Sequence, residues 1–279
     1  MLRGRAKLIL AVAAVLSGLA SASLMLRSTP GMRPSALWPD KPSLPLQEMT
    51  RQFSVPVLMY HRIEALDPRK PDSRHLRGLT VSPEAFRRQM EYLVDEGYSV
   101  IPLDDVEDAL RHGGPLPRHA VAITFDDGYD GVFGHAFPIL RRYDLPATVF
   151  VVTSAVGKPN HVTWSELRLM KRHGIDCSSH TVHHPDLTTL SLARIDRELR
   201  ESRAQIKEKT GESVDSLAYP GSRYDAEVVR GMRESKYLIG WRDHGGPVHP
   251  TTRLYYLPRV RVDGRASFAE FTRLVRPRS

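Results

Sequence analysis

The chain has 279 residues, 41% of them hydrophobic, which is enough to bury a core and within the range that a single barrel domain occupies. Forty Lys and Arg against 32 Asp and Glu leave a formal charge of +8; no basic stretch is interleaved with aromatic residues and no zinc-finger or helix-turn-helix spacing occurs, so nucleic acid is not an expected partner, and the charge suits an anionic surface or plain solubility. The single cysteine, Cys177, excludes an intrachain disulfide and any multi-thiolate metal site.

At the N-terminus Arg3, Arg5 and Lys7 precede an apolar run from Leu8 to Leu16, and Ala20-Ser21-Ala22 offers the small residues of a signal-peptidase site. Residues 8–26 carry no charge and match the roughly 20 residues that a bilayer span needs. Residues 1–26 are therefore expected to export the protein, as a cleaved signal or as an uncleaved membrane anchor, to a periplasmic, secreted or membrane-anchored location. Residues 27–53, rich in Pro, Ser and Met, read as a linker, and 54–279 as the folded domain.

The folded part opens on an apolar strand, Val55 to Tyr60. A helix is predicted over 82–96, with Ser82 as N-cap, Pro83 at the first helical position, Phe86, Met90 and Leu93 on one stripe and Gly97 at the stop. Strands follow at Tyr98 to Leu103, Ala120 to Phe125 and Ala147 to Val152, the last two being near-continuous apolar runs of the kind a doubly covered parallel sheet needs. Ile175 to Ser179 is a further strand. The clearest helix covers 191–210, with Ser191 as N-cap and Gly211 after it. Ser216 to Pro220, Tyr237 to Trp241 and Leu254 to Val262 complete the strands. Seven or eight βα units predict a closed (β/α) barrel with one catalytic domain; an open doubly wound sheet is the alternative.

Three clusters fall just after predicted strands, where a parallel barrel presents its site. In Thr124-Phe125-Asp126-Asp127-Gly128-Tyr129 two adjacent carboxylates end a strand; a turn that caps the next helix uses only one of them. In His180-Thr181-Val182-His183-His184-Pro185-Asp186 two imidazoles four residues apart can meet one divalent ion if the backbone turns, with a carboxylate completing the set. The third cluster, Leu217 to Tyr224, reads by itself as an ordinary strand-to-helix turn.

These residues resemble the NodB-homology polysaccharide deacetylases, carbohydrate esterase family 4, over about residues 54–262. Thr124 to Gly128 matches the family's first motif and His180 to His184 its metal motif, while Val55 to His61 looks like the branch that includes the biofilm poly-N-acetylglucosamine deacetylases. The resemblance implies a distorted barrel of seven or eight βα units and a metal-dependent hydrolase that removes N-acetyl groups from a polysaccharide with N-acetylglucosamine units. It further implies Asp126 as general base and Asp127, His180 and His184 as ligands of a divalent ion, Zn²⁺ first, with Co²⁺ or Ni²⁺ as alternatives; His183 receives no role. An O-acetyl esterase acting on a glycan, or a non-catalytic glycan-binding module, are the competing functions, and the intact Asp-Asp and His-His set argues against the module.

The sequence departs from the family in two places: no Leu-x-His segment occurs near the C-terminus, and the third motif lacks its leading Arg. His61, at the end of the first strand, is the candidate general acid, with His249 and His244 as rivals. Tyr129, Trp164, Tyr219 and Trp241 are candidates to stack on sugar rings, and Tyr219-Pro220-Gly221 is the candidate substrate loop, with a backbone N–H of Tyr219 or Gly221 facing the oxyanion.

Overall fold

The computed structural model describes residues 52–66 and 73–276, so the expected export segment and most of the expected linker lie outside the described residues. The linker's last two residues, Gln52 and Phe53, instead join Ser54 in β1 (Gln52–Ser54), which starts the folded part slightly earlier than the sequence reading. Next come β2 (Val57–Tyr60), β3 (Arg62–Ile63), α1 (Arg74–Leu79), β4 (Thr80–Val81), α2 (Pro83–Asp95), β5 (Ser99–Val100), α3 (Leu103–His112) and β6 (Ala120–Asp127). After a π-helical turn come α4 (Phe137–Arg142), β7 (Ala147–Val151), α5 (Trp164–Lys171), β8 (Ile175–Ser179), α6 (Leu192–Thr210), β9 (Ser216–Ala218), α7 (Ala226–Glu234) and β10 (Ile239–Arg242). The order ends with β11 (Val248–Pro250), β12 (Leu257–Pro258), β13 (Val260–Arg261) and α8 (Phe268–Val275).

Most helix signals act as their chemistry requires, although Ser191 stands at the N-cap of α6 without a side-chain capping bond. Ser82 Oγ accepts the Ala85 N–H at 3.1 Å and Pro83 occupies the first turn of α2, where its missing N–H costs nothing. Gly211 adopts the left-handed conformation that stops α6. Several expected strands are shorter than read: β2 starts at Val57, β9 ends at Ala218 and β10 starts at Ile239. Pro102 caps α3, which takes Leu103 away from β5, and Leu254–Tyr256 forms a 3₁₀ turn before β12 begins.

The main sheet is parallel, with β2, β6, β7, β8, β9 and β10 side by side. β12 then pairs with β10, β13 pairs with β2, and only Arg259 separates β12 from β13. Residues 257–261 thus link the last strand to the first, and the sheet nearly closes into a barrel.

Period-two alternation sorts the strand side chains into two cores. Val57, Ala122, Phe150, Ala218, Ile239, Trp241 and Leu257 fill the barrel, closed below by Leu103, Val106 and Leu110 of α3. Leu58, Tyr60, Ile123, Phe125, Val149, Val151, Cys177, Leu217 and Tyr219 point outward and pack under the helices. The register continues to the strand ends, where the inward positions are His61, Asp126, His180 and Arg259.

Candidate active site

β6 delivers both carboxylates, but to different surroundings. Asp126 is buried. Its two oxygens accept a bidentate pair from Arg259, Nη1 to Oδ1 at 2.7 Å and Nη2 to Oδ2 at 2.6 Å. Arg259 Nη1 also reaches Thr124 Oγ1 at 3.2 Å, and Thr124 donates to the Leu58 carbonyl at 2.8 Å. Burial works to raise the Asp126 pKa, but the charges of Arg259 and His180 and the bonds from Arg259 outweigh it, so the carboxyl stays ionised well below the usual range.

Asp127 turns away from this pair because its backbone is left-handed, φ 68°, followed by Gly128 at φ 75°. Its Oδ1 lies 3.5 Å from His180 Nε2 and 3.6 Å from His184 Nε2, and the two imidazole rings are 4.7 Å apart, edge to face. The loop after β8 makes this possible through Thr181 and His184, also left-handed at φ 69° and 56°; Thr181 Oγ1 accepts the His184 N–H at 3.0 Å. Such conformations in residues other than glycine, each costing on the order of 1 kcal/mol or more, gather where function demands them.

The donor set fits a divalent ion. Asp127, His180 and His184 each offer one ligand atom, all within 4.8 Å of one another. His180 Nδ1 meets the Ala218 carbonyl at 2.7 Å, which places its proton there and leaves the Nε2 lone pair for a metal. Three protein ligands leave coordination positions for water and substrate. His183 points elsewhere: its ring and backbone N–H bind Glu198 of α6, which also accepts the Val182 N–H, so this carboxylate clamps the loop from behind.

His61 adjoins the same cluster. Burial lowers its pKa, while the carboxylates of Asp126 and Asp127 act to raise it. The rivals stand apart. His249 is buried, with Nε2 on the Val55 carbonyl at 2.7 Å and its pKa pushed down to about 4, and His244 is exposed on the loop after β10.

The expected sugar-stacking residues mostly fall outside the site. Trp241 points into the barrel below it and donates Nε1–H to Glu107 Oε1 at 2.8 Å. Tyr219 points outward, where Gly240 makes room for its ring; a Cβ there would lie 2.4 Å from the Tyr219 hydroxyl. The Tyr219 N–H is also engaged, by the Trp241 carbonyl at 3.0 Å, so it cannot serve an oxyanion. Pro220 is buried in the turn beyond it and Gly221, at φ 56°, is exposed, which leaves Gly221 as the backbone donor of that loop. Tyr129 sits at the rim with Arg62 4.0 Å over its ring and His161 stacked at 5.1 Å; Trp164 opens α5 and packs against the outer core.

Arg259 is the residue that the motif reading missed. Its signal was present: one arginine within the apolar strand Leu257-Pro258-Arg259-Val260 requires a buried counter-charge. The cation absent from the third cluster is supplied by the closing strand.

A family model described as Polysaccharide deacetylase matches residues 113–239. YxkH of Bacillus subtilis (strain 168) is 28% identical over 217 residues, 78% of this chain and 74% of that protein. The poly-beta-1,6-N-acetyl-D-glucosamine N-deacetylase of Staphylococcus aureus (strain MSSA476) is 24% identical over 236 residues, 77% of this chain and 81% of that protein. The solved Streptococcus pyogenes deacetylase PplD, in complex with acetate, superposes with a TM-score of 0.74 at 27% identity, over 81% of this chain and 100% of that one. With this fold and the Asp-Asp and His-His motifs at the mouth of the barrel, the chain is similar in sequence and in structure to polysaccharide deacetylases.

Proposed function

We propose that this protein hydrolyses N-acetyl groups from a polysaccharide containing N-acetylglucosamine, with Asp126 as general base and Asp127, His180 and His184 holding a divalent ion, Zn²⁺ first. The observation that carries this reading is the division of labour between neighbouring carboxylates. One is buried and held ionised by Arg259, and the other faces two imidazoles, of which His180 is turned by the Ala218 carbonyl so that its Nε2 lone pair is free for a metal. A bound divalent ion supplies polarisation of the acetamide carbonyl and a lowered pKa for water.

The chain's own residues account for the proton movements. Asp126, ionised at every working pH, takes a proton from the attacking water at its carboxylate. Arg259 fixes the plane of that carboxylate and balances its charge. Gly221 offers a backbone N–H to the developing oxyanion. His61, which adjoins the carboxylates of Asp126 and Asp127, returns a proton to the departing amine. The S. aureus relative, named for poly-beta-1,6-N-acetyl-D-glucosamine, supports an amide of an amino sugar as the bond cleaved. The N-terminal segment 1–26 places the activity outside the cytoplasm in this reading.

The test is acetate release by the purified full chain from N-acetylglucosamine oligomers. Release that chelator abolishes and added Zn²⁺ or Co²⁺ restores is the expected outcome. Release from O-acetylated glycans alone would reassign the enzyme as an esterase, and release indifferent to chelator would remove the metal from the account.

A further inference from the structure

Beside the mouth of the barrel lies a second concavity of about 380 Å³, a size that holds a sugar residue. Tyr224, Arg242, Gly245, Arg253, Tyr256 and Pro258 line it, and no acidic residue does. Its wall is the outer side of the strands whose inner side carries the site: Pro258 precedes Arg259, and Arg242 precedes Asp243, whose Oδ1 lies 3.7 Å from Arg259 Nη2.

Two features give this pocket a chemical preference. Tyr256 is among the few exposed large apolar side chains, and its ring lies 5.4 Å from that of Tyr224, which in turn packs on the buried Tyr219. Tyrosine faces of this kind suit the C–H face of a sugar. The second feature is positive charge without a counter-ion. Arg242 is anchored by its Nε–H on the Tyr256 carbonyl at 3.0 Å and by close packing on Gly245, where a Cβ would lie 2.7 Å from Nη2. Its terminal nitrogens have no partner among the described residues, and neither does the exposed guanidinium of Arg253.

We propose that this pocket is a subsite for an anionic saccharide residue, carrying a carboxylate or a phosphate, next to the acetamide that is hydrolysed. The inference rests on the deacetylase reading above and narrows its substrate to a polymer with negative charge. The local charge agrees: each deacetylation leaves an ammonium group, which the unbalanced basic rim of this pocket would repel. Negative substituents along the polymer remove that conflict.

The test compares kcat/KM for acetate release from three matched series of N-acetylglucosamine oligomers: neutral, carboxylate-bearing and phosphate-bearing. The full chain is expected to prefer at least one anionic series over the neutral one by about fivefold or more, the scale of a partly exposed charge-assisted contact, and to lose the preference as salt rises. Arg253→Ala, an exposed change with no packing role, should collapse the anionic-to-neutral ratio through KM, and Arg253→Lys should restore part of it. Which series is preferred distinguishes the carboxylate source from the phosphate source. A wild-type ratio at or below one, or a preference untouched by both Arg253→Ala and Arg242→Gln, overturns the subsite. Absence of acetate from all three series would instead overturn the deacetylase reading.

Discussion

The barrel buries a carboxylate near each end, and the two ends treat it in opposite ways. At the mouth, Asp126 meets Arg259 through two bonds and is held as an anion. Toward the floor, Glu107 of α3 is also buried but meets neutral donors, the Trp241 N–H and the Ser216 side chain, with Asp104 and Asp215 adding negative charge nearby. Burial drives its pKa up to about 8, so at neutral pH it is largely protonated. Burial therefore does not set the charge of a carboxyl group; the partner that shares the burial does. Paired with a cation, Asp126 is held as an anion at the mouth; without one in contact, Glu107 is held neutral at the floor.

Removing the mouth's carboxylates one at a time should give the largest effects. Asp126→Asn is expected to bind metal nearly normally and lose on the order of 10²–10⁴ in kcat, the contribution of a positioned base, with no recovery on metal addition. Asp127→Asn should recover part of its activity with excess Zn²⁺ or Co²⁺. Metal titration against acetate release reads both, and rescue of Asp126→Asn alone would exchange the two roles.

Converting the mouth into an imitation of the floor is the next step. Arg259→Met strands Asp126 without its cation, which should cost about 3–5 kcal/mol of stability, the scale of breaking a buried pair by removing one partner. The Asp126 pKa should rise toward that of an unpaired buried acid, carrying the acidic limb of the pH–rate profile upward. Denaturant unfolding and kcat/KM against pH measure the two effects; an unmoved limb would mean that Arg259 does not govern the base.

At the floor the sign is reversed. A carboxyl whose folded pKa is raised to about 8 contributes stability that is complete below its ordinary pKa of 4.5 and is lost as pH rises through about 8. Glu107→Gln keeps an acceptor for Trp241 and cannot ionise, so its unfolding free energy should fall less than that of the parent between pH 5 and 9. Parallel profiles for the two proteins would show that Glu107 does not titrate in this range. The smallest effect is expected at Cys177, which points outward from β8 into the helix-facing core and whose thiol is pushed up by burial. Cys177→Ala should leave turnover essentially unchanged and cost only the packing of one small side chain, and a large fall in kcat without unfolding would contradict that placement.

Much of the site was legible because its parts are local. Asp126, Asp127, His180 and His184 each lie within a few residues of a strand end, and alternation along that strand already fixes which way they face. Arg259 and His61 come from opposite ends of the chain: His61 reaches Asp126 because β2 pairs with β6, and Arg259 because residues 257–261 pair with both β10 and β2. The aromatic residues were the poorest guide. Tyr219 and Trp241 sit on adjacent strands near the mouth in sequence terms, yet one faces the helices and the other the barrel floor.

The sequence by itself determined the main parallel strands, the two clearest helices and the two motifs, since each depends on periodicity or on spacing within one turn, while the base and metal-ligand candidates came from the family resemblance of those motifs. Only the tertiary structure decided which cation holds Asp126, which histidine adjoins it, which tyrosines reach solvent and where unbalanced arginines gather. Those outcomes depend on closure of the barrel, which brings together residues more than a hundred positions apart, as in the 133-residue separation of Asp126 and Arg259; no local pattern encodes such a pairing.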